Sequence, residues 1–359
     1  MKTPVRFGVV GAGQIGHYAC DEIGGHADAK VVAAADVNQQ RLDELGQKFD
    51  IERRYLDPEA LLADEGVDAV YIATPNAYHA PLALAALEQG KHVILEKPFA
   101  LNAAEAQAVV SSAAQRKLWF TVGMNQRFRA DSQKVRELVR RGDLGEVYNA
   151  KSFWFRRTGI PKLGTWFGKK ALSGGGSLLD IGVHLLDLAL FVMDEFKPTS
   201  VFGQTYTKFG NRGLGEGGWG FSDRTESGFD VDDLATALIK FESGRTLGLD
   251  VSWAIHQADG NRMNVLLHGT DGGAGCYPAE LYKPGEPGGE YQVLKELDIA
   301  TPFAHESRFH NFVNVILERE PLCVTPEQAL VVQRILDAIY QSSQTGKEVI
   351  LSGTPERNK

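Results

Sequence analysis

The first third of the chain alternates short apolar runs with segments in which apolar positions recur at helical spacing. The runs typical of buried strands cover residues 5–10, 31–35, 68–74, 92–95 and 119–123. Strands that alternate with helices through short loops form a parallel, doubly wound sheet with helices on both faces. The pattern therefore predicts an α/β domain over residues 1–123.

Apolar alternation of the kind expected for half-buried strands returns in the rest of the chain. Candidate strands cover residues 147–155, 200–207, 234–241, 246–253 and 262–268. Their spacing predicts a second, α+β domain over residues 124–359 that is built on a sheet of hairpins. A helix at about residues 326–343 is expected to pack back against the body of the protein.

Residues 209–230 form a glycine-rich loop whose role the sequence leaves open. Loops of this length in compact domains are usually functional or mobile. Three roles fit this loop: a lid over a bound ligand, an arm that contacts a neighbouring subunit, or an insertion without a function.

The turn after the first strand carries a glycine motif, Gly-Ala-Gly-Gln-Ile-Gly, at residues 11–16. Between a strand and a helix, G-x-G-x-x-G is typical of dinucleotide binding. The first glycine makes the tight turn, the second leaves room for a pyrophosphate, and the third lets the helix pack on the strand. The phosphates then lie at the helix N-terminus, where free amides favour an anion. The predicted cofactor contacts here are Gly11, Gly13, Gln14, Ile15 and Gly16.

Asp36 ends the second strand, 20 residues after Gly16. A carboxylate at this place accepts hydrogen bonds from the ribose hydroxyls of an adenosine. It would also repel a 2′-phosphate, and the next residues, Val37 and Asn38, offer no cation. Arg41 is more simply explained as a solvated helix residue. The sequence therefore predicts NAD as the cofactor and makes NADP the less favoured one.

Two further strands end in polar residues at the edge of the sheet where ligands bind. The strand at 68–74 is followed by Asn76, and the strand at 92–95 by Lys97. Ligands of doubly wound sheets lie beyond the carboxyl ends of the strands. Lys97 leaves a buried strand at this edge and is followed by a proline, so it is a candidate ligand-binding residue.

Residues 173–187 place an acidic and a basic side chain on an apolar helix. Three glycines at 174–176 allow the backbone to approach a ligand closely, and Ser177 is predicted to cap a helix through about residue 190. Asp180 and His184 lie four residues apart and so share one helix face. A histidine here is either a catalytic base or a core histidine satisfied by Asp180, and the helix alone favours neither.

Four motifs occur in order after the glycine motif. They are A-T-P-N-x-x-H at 73–79, E-K-P at 96–98, G-M-N-Q-R-F at 123–128 and G-G-G-x-x-x-D-I-G-V-H at 174–184. As a set they are highly specific, and the chain resembles the glucose–fructose oxidoreductase / inositol dehydrogenase / rhizopine-catabolism (Gfo/Idh/MocA) oxidoreductase family. The resemblance covers roughly residues 4–195 and is looser from there to the end.

The resemblance implies a fold, a chemistry and a set of residues. It implies that the second domain contains a large, mostly antiparallel open sheet and that the active site lies between the domains. It also implies a pyridine nucleotide and a substrate that is a sugar, a cyclic polyol or a derivative such as a glycoside. Lys97, Asp180 and His184 would form the catalytic group, and Pro98 would follow a cis peptide bond. The further implied cofactor contacts are Thr74, Pro75, Asn76, His79, Glu96, Lys97 and Asn125, and Arg127 is an implied lining residue.

Elementary chemistry agrees with these roles. Oxidation of a secondary alcohol requires a base for the hydroxyl proton, a hydride acceptor, and positive charge near the developing alkoxide. A histidine such as His184 suits the base, because the unperturbed pKa of imidazole lies near neutrality. Lys97 would hold the reacting oxygen, Asp180 would orient the substrate and the imidazole, and a nicotinamide would take the hydride.

Arg156, Arg157 and Trp166 lie between the strand at 147–155 and the helix that carries His184. Two guanidinium groups and an aromatic ring suit a polyhydroxylated ring, through hydrogen bonds and stacking. The competing interpretation is a structural ion pair with a core aromatic, which is the commoner role for either arginine alone.

Composition narrows the class of protein. The net charge of −8 and the pI of about 5.7 disfavour nucleic acid and anionic membranes as partners. No apolar run reaches the roughly 18 residues that a membrane span needs. The three cysteines (Cys20, Cys276 and Cys323) are scattered, odd in number and without metal-ligand spacing, which suits the reducing cytoplasm.

Two further expectations concern metals and assembly. His305 and His310 are five residues apart and would lie on different faces of a helix, so no metal site is predicted. A large open sheet with one uncovered face would expose apolar surface to water, so we expect a homodimer or a homotetramer.

Two other functions fit the same residues. One is a glycosidase that retains NAD, in which transient oxidation acidifies a neighbouring C–H, the aglycone is eliminated and the hydride returns. The other is a regulator that senses a nucleotide without catalysis, which the presence of Lys97, Asp180 and His184 disfavours. Net NADH formation, release of aglycone without net NADH, or binding without turnover would distinguish the three functions.

Overall fold

The computed structural model describes residues 4–219, 228–285, 289–295, 297 and 307–351. The described chain divides into two compact units. The first contains the residues up to 125 and takes in 307–330 from near the end of the chain, and the second contains the remainder. The predicted division into residues 1–123 and 124–359 does not include this return of the chain to the first unit.

A six-stranded parallel sheet forms the centre of the first unit. Its strands are β1 (Val5–Val10), β2 (Ala29–Ala35), β3 (Arg53–Tyr55), β4 (Ala69–Ile72), β5 (His92–Leu95) and β6 (Phe120–Val122). They are ordered β3-β2-β1-β4-β5-β6, and β1 pairs in parallel with both β2 and β4. This order confirms the predicted doubly wound α/β fold and places its switch point between β1 and β4.

Helices pack on this sheet. They are α1 (Gln14–Gly24), α2 (Gln39–Lys48), α3 (Pro58–Leu62), α4 (His79–Glu88), α5 (Ala103–Arg116) and, from the returning segment, α9 (Arg308–Ile316). Phe7 of β1 packs edge-on against Phe312 of α9, with ring centroids 6.5 Å apart. The strands are covered on both faces, which is why they are continuous apolar runs rather than alternating ones.

A nine-stranded sheet forms the centre of the second unit. Its strands are β7 (Val147–Arg156), β8 (Pro198–Tyr206), β9 (Leu234–Phe241), β10 (Thr246–Ser252), β11 (Asn261–Gly269), β12 (Gly273–Gly275), β13 (Glu280–Lys283), β14 (Gln292–Leu294) and β15 (Val349–Ile350). Their order is β14-β13-β12-β11-β7-β10-β9-β8-β15, and β7 and β10 are the parallel pair in an otherwise antiparallel sheet. The large, mostly antiparallel sheet that the resemblance implied is confirmed.

One face of this sheet is covered by helices. The remaining helices are α6 (Ala130–Arg140), α7 (Lys170–Ser173), α8 (Val183–Met193) and α10 (Pro326–Thr345), of which α10 begins in the first unit and continues into the second. Ser152 of β7 donates to the carbonyl of Leu185 in α8 at 2.9 Å, and a Cβ on Gly203 of β8 would lie 2.9 Å from Ile339 of α10. Helices α8 and α10 therefore pack on the same face.

The opposite face of the sheet is apolar in part. Phe202 of β8 and Leu238 of β9 stand directly opposite each other across the two strands and are 51% and 44% exposed.

Within the described ranges, one helical stretch, Lys170–Met193, is long and apolar enough to cross a membrane by length and composition. Of its most apolar window, 89% is buried inside the protein, as in the core helix of a soluble protein.

Candidate active site

The turn after β1 can take only glycine at two of its three motif positions. Gly11 has φ +107°, and a Cβ there would lie 2.5 Å from the carbonyl oxygen of Ala73. A Cβ on Gly16 would overlap the carbonyl oxygen of Gly11. A Cβ on Gly13, by contrast, would meet nothing within 4 Å. Open space beside Gly13, at the N-terminus of α1, fits the approach of a pyrophosphate.

Asp36 joins this turn to the end of β2. Its carboxylate accepts hydrogen bonds from the backbone N–H groups of Ala12 and Asn38, at 2.7 and 2.8 Å. A carboxylate has about four acceptor positions, so two bonds leave capacity for ribose hydroxyls. Asp36 therefore shapes the glycine turn and can hold an adenosine at the same time.

Replacing the negative charge of Asp36 by a positive charge beside it is expected to shift the cofactor preference from NAD towards NADP. Asp36→Ser with Val37→Arg removes the ribose acceptor and supplies a cation, so NAD affinity should fall about 10–100-fold, as expected for hydrogen bonds to a charged group. NADP affinity should rise. Asp21→Ser, which removes an exposed carboxylate from α1, is the matched control. Isothermal titration with both nucleotides measures the effect, and tighter NADP binding by the unmodified protein would contradict it.

A buried polar atom without a hydrogen-bond partner lies at the carboxyl end of β4 in the described structure. Thr74 Oγ1 is buried and has no hydrogen-bond partner in the part of the chain that the structure describes. Asn76, two residues on, is buried and begins the short helical turn Asn76–Tyr78, with Pro75 just before it. A buried hydroxyl without a partner is costly unless a bound group satisfies it. Together with the open space at Gly13, Thr74 indicates that these residues fit a dinucleotide.

The ring of His79, a predicted cofactor contact, is engaged by two backbone carbonyls. The ring is 1% exposed, and its Nδ1 and Nε2 face the carbonyl oxygens of Pro98 and Thr74 at 2.7 and 2.9 Å. Burial lowers the pKa of His79 against the raising effect of these two carbonyls. A neutral imidazole donates to one carbonyl at a time. His79 therefore links the loops after β4 and β5, and its side chain does not line an open surface.

The side chain of Glu96, another predicted cofactor contact, is likewise engaged within the protein. Its side chain is buried, accepts a hydrogen bond from the Tyr71 hydroxyl and pairs with Arg308 of α9 at 2.7 Å. Burial alone would raise the pKa of Glu96, but the Arg308 charge, the Tyr71 hydrogen bond and the Lys97 charge hold it below its usual value. The carboxylate is therefore ionised and occupied by protein groups rather than turned to a cofactor.

Lys97 lies where the sequence placed it, directly after β5. The side chain is half-buried, and its backbone N–H donates to Glu96 Oε2 at 3.2 Å. The peptide bond to Pro98 is cis, as the resemblance implied. Asn125, in the turn after β6, is exposed and begins the short helix Asn125–Phe128.

The helix that carries the predicted catalytic pair begins with a π-helical turn, Leu178–Gly182, before α8. Such turns are rare and occur often at functional sites. Ser177 occupies the predicted N-cap position, but its hydroxyl makes no capping hydrogen bond and instead donates to Asp232 at 2.8 Å. The Asp232 carboxylate also accepts from the N–H groups of Gly176 and Leu178, at 2.8 and 2.9 Å, and so provides the anion at this helix N-terminus.

Two tryptophans bring the predicted residues of this unit together. Trp253 Nε1 donates to Asp180 Oδ2 at 2.8 Å, and the ring of Trp154 lies 6.4 Å from that of His184. The guanidinium carbon of Arg156 lies 4.5 Å from the Trp154 ring centroid. Trp154 is two residues before Arg156 on β7 and hence on the same sheet face, a signal that could have identified it from the sequence.

The Arg156 guanidinium lies over Trp154 and near the Asp180 charge. Burial lowers its pKa, and the nearby Asp180 charge acts against that effect. Among the described residues the guanidinium makes no hydrogen bond or ion pair, and it stacks on Trp154. A Cβ on Gly159 would lie 2.5 Å from Arg156 Cδ, so a larger residue there would displace the Arg156 side chain. An arginine that donates beside an aspartate that accepts matches two neighbouring hydroxyls of a ring.

The structure does not bring Arg157 or Arg127 to this group. Arg157 is exposed beyond the end of β7 and donates to the carbonyl of Ala258 at 3.3 Å. Arg127 is wholly buried and forms two hydrogen bonds to Asp187, at 2.9 and 2.7 Å. A buried aspartate on α8 takes the Arg127 guanidinium, and the lining role that the resemblance implied for Arg127 stays a prediction.

Trp166 belongs to an aromatic cluster. It stacks on Phe167 with ring centroids 3.8 Å apart, and Phe167 packs edge-on against Trp219 at 5.1 Å. Trp219 comes from the glycine-rich loop, which places this loop beside the segment that carries Trp166.

The described part of the glycine-rich loop is attached to that same segment. Gly159 donates to the Gly215 carbonyl at 3.0 Å, and Gly217 donates to the Ile160 carbonyl at 2.8 Å. Residues 220–227 of this loop lie outside the described residues. Residues 215–217 therefore lie against residues 159–160 and are joined to them by backbone hydrogen bonds.

No metal site is evident in the described chain. His310 is on α9, where its Nε2 faces the Glu22 carbonyl at 3.1 Å, and His305 lies outside the described residues. Within the described ranges no group of three or more His, Cys, Asp or Glu residues could hold an ion.

Comparison with known proteins places both units in one family. The model of the oxidoreductase family with an NAD-binding Rossmann fold matches residues 5–124. The model of the GFO/IDH/MocA C-terminal domain matches residues 132–274.

The chain is also similar to individual proteins over most of its length. The chain is 31% identical to D-glucoside 3-dehydrogenase of Escherichia coli over 98% of both chains. It is 34% identical to a putative UDP-kanosamine synthase oxidoreductase subunit of Amycolatopsis mediterranei over 71% of this chain and 70% of that one. The crystal structure of an NAD-binding protein from Listeria innocua superposes with a TM-score of 0.79 at 28% identity, over 97% of both chains.

Proposed function

Because the chain belongs to the Gfo/Idh/MocA oxidoreductase family, an NAD-binding family, we propose that it oxidises a secondary ring hydroxyl of a pyranoside. The observation that carries the proposal is the grouping of Asp180, His184 and Arg156 around two tryptophans. Hydrogen-bonding groups flanked by aromatic rings suit a polyhydroxylated ring. The likeness to D-glucoside 3-dehydrogenase over nearly the whole chain supports a glucoside as the substrate.

Each proposed residue has one task. His184 takes the proton of the reacting hydroxyl, and Lys97 stabilises the negative charge that develops on its oxygen. Asp180, oriented by Trp253, and Arg156 bind the neighbouring hydroxyls and fix the ring. When bound, the nicotinamide supplies the hydride acceptor. Gly13, Asp36 and Thr74 would hold the cofactor.

The proposal is tested with a panel of ring compounds and NAD, followed at the absorbance of the reduced nicotinamide. Methyl β-D-glucoside, glucose and myo-inositol test the substrate class, and the 2-, 3- and 4-deoxy methyl glucosides identify the oxidised carbon. We expect NADH with the glucoside and none with one deoxy analogue. Aglycone release from 4-nitrophenyl β-D-glucoside without net NADH would instead show the NAD-retaining glycosidase, and binding without turnover would show a regulator.

We further propose that the outer face of the nine-stranded sheet joins copies of this chain in a cytoplasmic dimer or tetramer. Phe202 and Leu238 form an exposed apolar pair on that face. Exposed apolar patches of this kind mark association sites. The three cysteines are free and buried, which supports a reducing compartment.

Phe202→Glu with Leu238→Lys is expected to shift the protein towards the monomer, because the pair would place charges in an apolar interface. Multi-angle light scattering measures the mass. Leu56→Glu, at an exposed apolar residue of the first unit, is the control. An unmodified protein that is monomeric at micromolar concentration would contradict the proposal.

A further inference from the structure

The C-terminal part of the chain supplies one buried cation to the nucleotide-binding unit. Helix α9 joins the core of that unit through Phe309 and Phe312, both fully buried. Ser307 caps the helix and donates to Glu22 of α1 at 2.8 Å. These contacts fix the first residue of α9, Arg308, which is 8% exposed.

The Arg308 guanidinium contacts three neighbouring strands near their carboxyl ends. It pairs with Glu96, directly after β5, at 2.7 Å and donates to the carbonyl of Gly123, directly after β6, at 2.9 Å. A longer hydrogen bond, 3.5 Å, reaches the hydroxyl of Tyr71 on β4. A Cβ on Gly123 would overlap Nη1 of Arg308, so glycine at 123 makes room for this arginine.

The same network reaches the backbone of Lys97. One carboxylate oxygen of Glu96 binds Arg308 and Tyr71, and the other accepts the Lys97 N–H at 3.2 Å. On the other side of this turn, Nδ1 of His79 lies 2.7 Å from the carbonyl oxygen of Pro98 and is hydrogen-bonded to it. The Glu96–Pro98 turn is thus held at both ends by buried groups, and the cation comes from a residue more than two hundred positions away.

We propose that Arg308 is a positioning residue that fixes Lys97 for catalysis through Glu96, an inference that rests on the proposed function. An arginine is suited to the task because its planar fork binds a carboxylate and a carbonyl at once, which a lysine does not reproduce. Small displacements of a catalytic group lower the rate strongly, whereas binding of the adenosine and phosphates depends on other residues.

The first variant is Arg308→Lys, which keeps the buried charge and loses the fork. We expect kcat to fall about 10–100-fold, with the NAD dissociation constant changed by less than about threefold. Arg319→Met, in the same returning segment, breaks an exposed ion pair with Asp28 and is the matched control with unchanged kcat. A wild-type kcat in Arg308→Lys overturns the inference.

A second pair of variants separates positioning from stability. Arg308→Met leaves Glu96 as an unpaired buried charge, so its melting temperature should fall; adding Glu96→Gln removes that charge and should recover most of the loss. We expect kcat of the double variant to stay at least tenfold low. If kcat returns together with the melting temperature, Arg308 is only structural and the inference is wrong.

A third readout needs neither substrate nor cofactor. Acylation of lysines by acetic anhydride, followed by peptide mass spectrometry, reports the surroundings of each amine in the free protein. In Arg308→Lys we expect Lys97 to react at least threefold faster, with the exposed Lys151 unchanged. Equal Lys97 reactivity overturns the inference. Inactivity of the unmodified protein on every ring compound would instead overturn the proposed function, so the two failures are distinguishable.

Discussion

His184→Ala is expected to lower kcat by about 10²–10⁴, the usual loss on removal of a general acid–base group, while NAD affinity stays within about twofold. The expectation follows from the position of His184, on the helix that starts with a π turn, beside Trp154 and one turn from Asp180. NAD binding should persist, because Gly13, Asp36 and Thr74 belong to the other compact unit.

Steady-state rates beside NAD titration measure both quantities. His268→Ala is the matched control, since His268 lies exposed on β11 and bonds Asn149 at 2.9 Å. Near-full turnover of His184→Ala would show that His184 is a core histidine without catalytic function. Parallel loss of NAD binding and activity would equally contradict its role as the base.

Lys97→Ala is expected to cost a comparable factor, about 10²–10⁴ in kcat, because a cation near a developing alkoxide acts mainly in the transition state. The half-buried side chain follows β5 at the ligand edge of the sheet. Ethylamine added to the variant should restore part of the rate if the missing group is an ammonium. Lys48→Ala, at an exposed ion pair with Asp21, is the control.

The two outcomes that would contradict this role of Lys97 are distinct. A rate unchanged by Lys97→Ala would remove it from the chemistry. A raised KM with an unchanged kcat would make it a binding residue that acts equally on the ground state and the transition state.

The sequence predicted those parts of the fold and site that depend on neighbours along the chain. The glycine turn and Asp36 follow from a strand, a turn and a helix within about thirty residues. The position of Lys97 follows from the end of a single strand. For such local patterns the spacing of residue types determines the geometry.

The sequence did not show the partners of residues that pair with distant parts of the chain. Arg127 was expected to line the site, but its guanidinium is paired with Asp187, 60 positions away. Glu96 is occupied by Arg308, and the helix at 178 is capped by Asp232 rather than by Ser177. Buried charges require partners, and a single sequence does not show which distant residue supplies them.

For the same reason, the sequence did not predict that residues 307–330 return to the first unit. The sequence of an amphipathic helix such as α9 shows that the helix packs against an apolar surface, but it does not identify that surface. The pairing of Phe312 with Phe7 is decided in three dimensions. Trp253 was missed similarly, since its partner Asp180 lies 73 positions earlier.

The central claim is tested most directly by following deuterium from the ring of the sugar to the cofactor. The unmodified protein is incubated with NAD and methyl β-D-glucoside that carries deuterium on the ring carbons, and the products are analysed by mass spectrometry and proton NMR. We predict one deuterium at C4 of the reduced nicotinamide for each keto-glucoside formed. Reduced nicotinamide without deuterium, or consumption of the glucoside without reduced nicotinamide, would contradict the account.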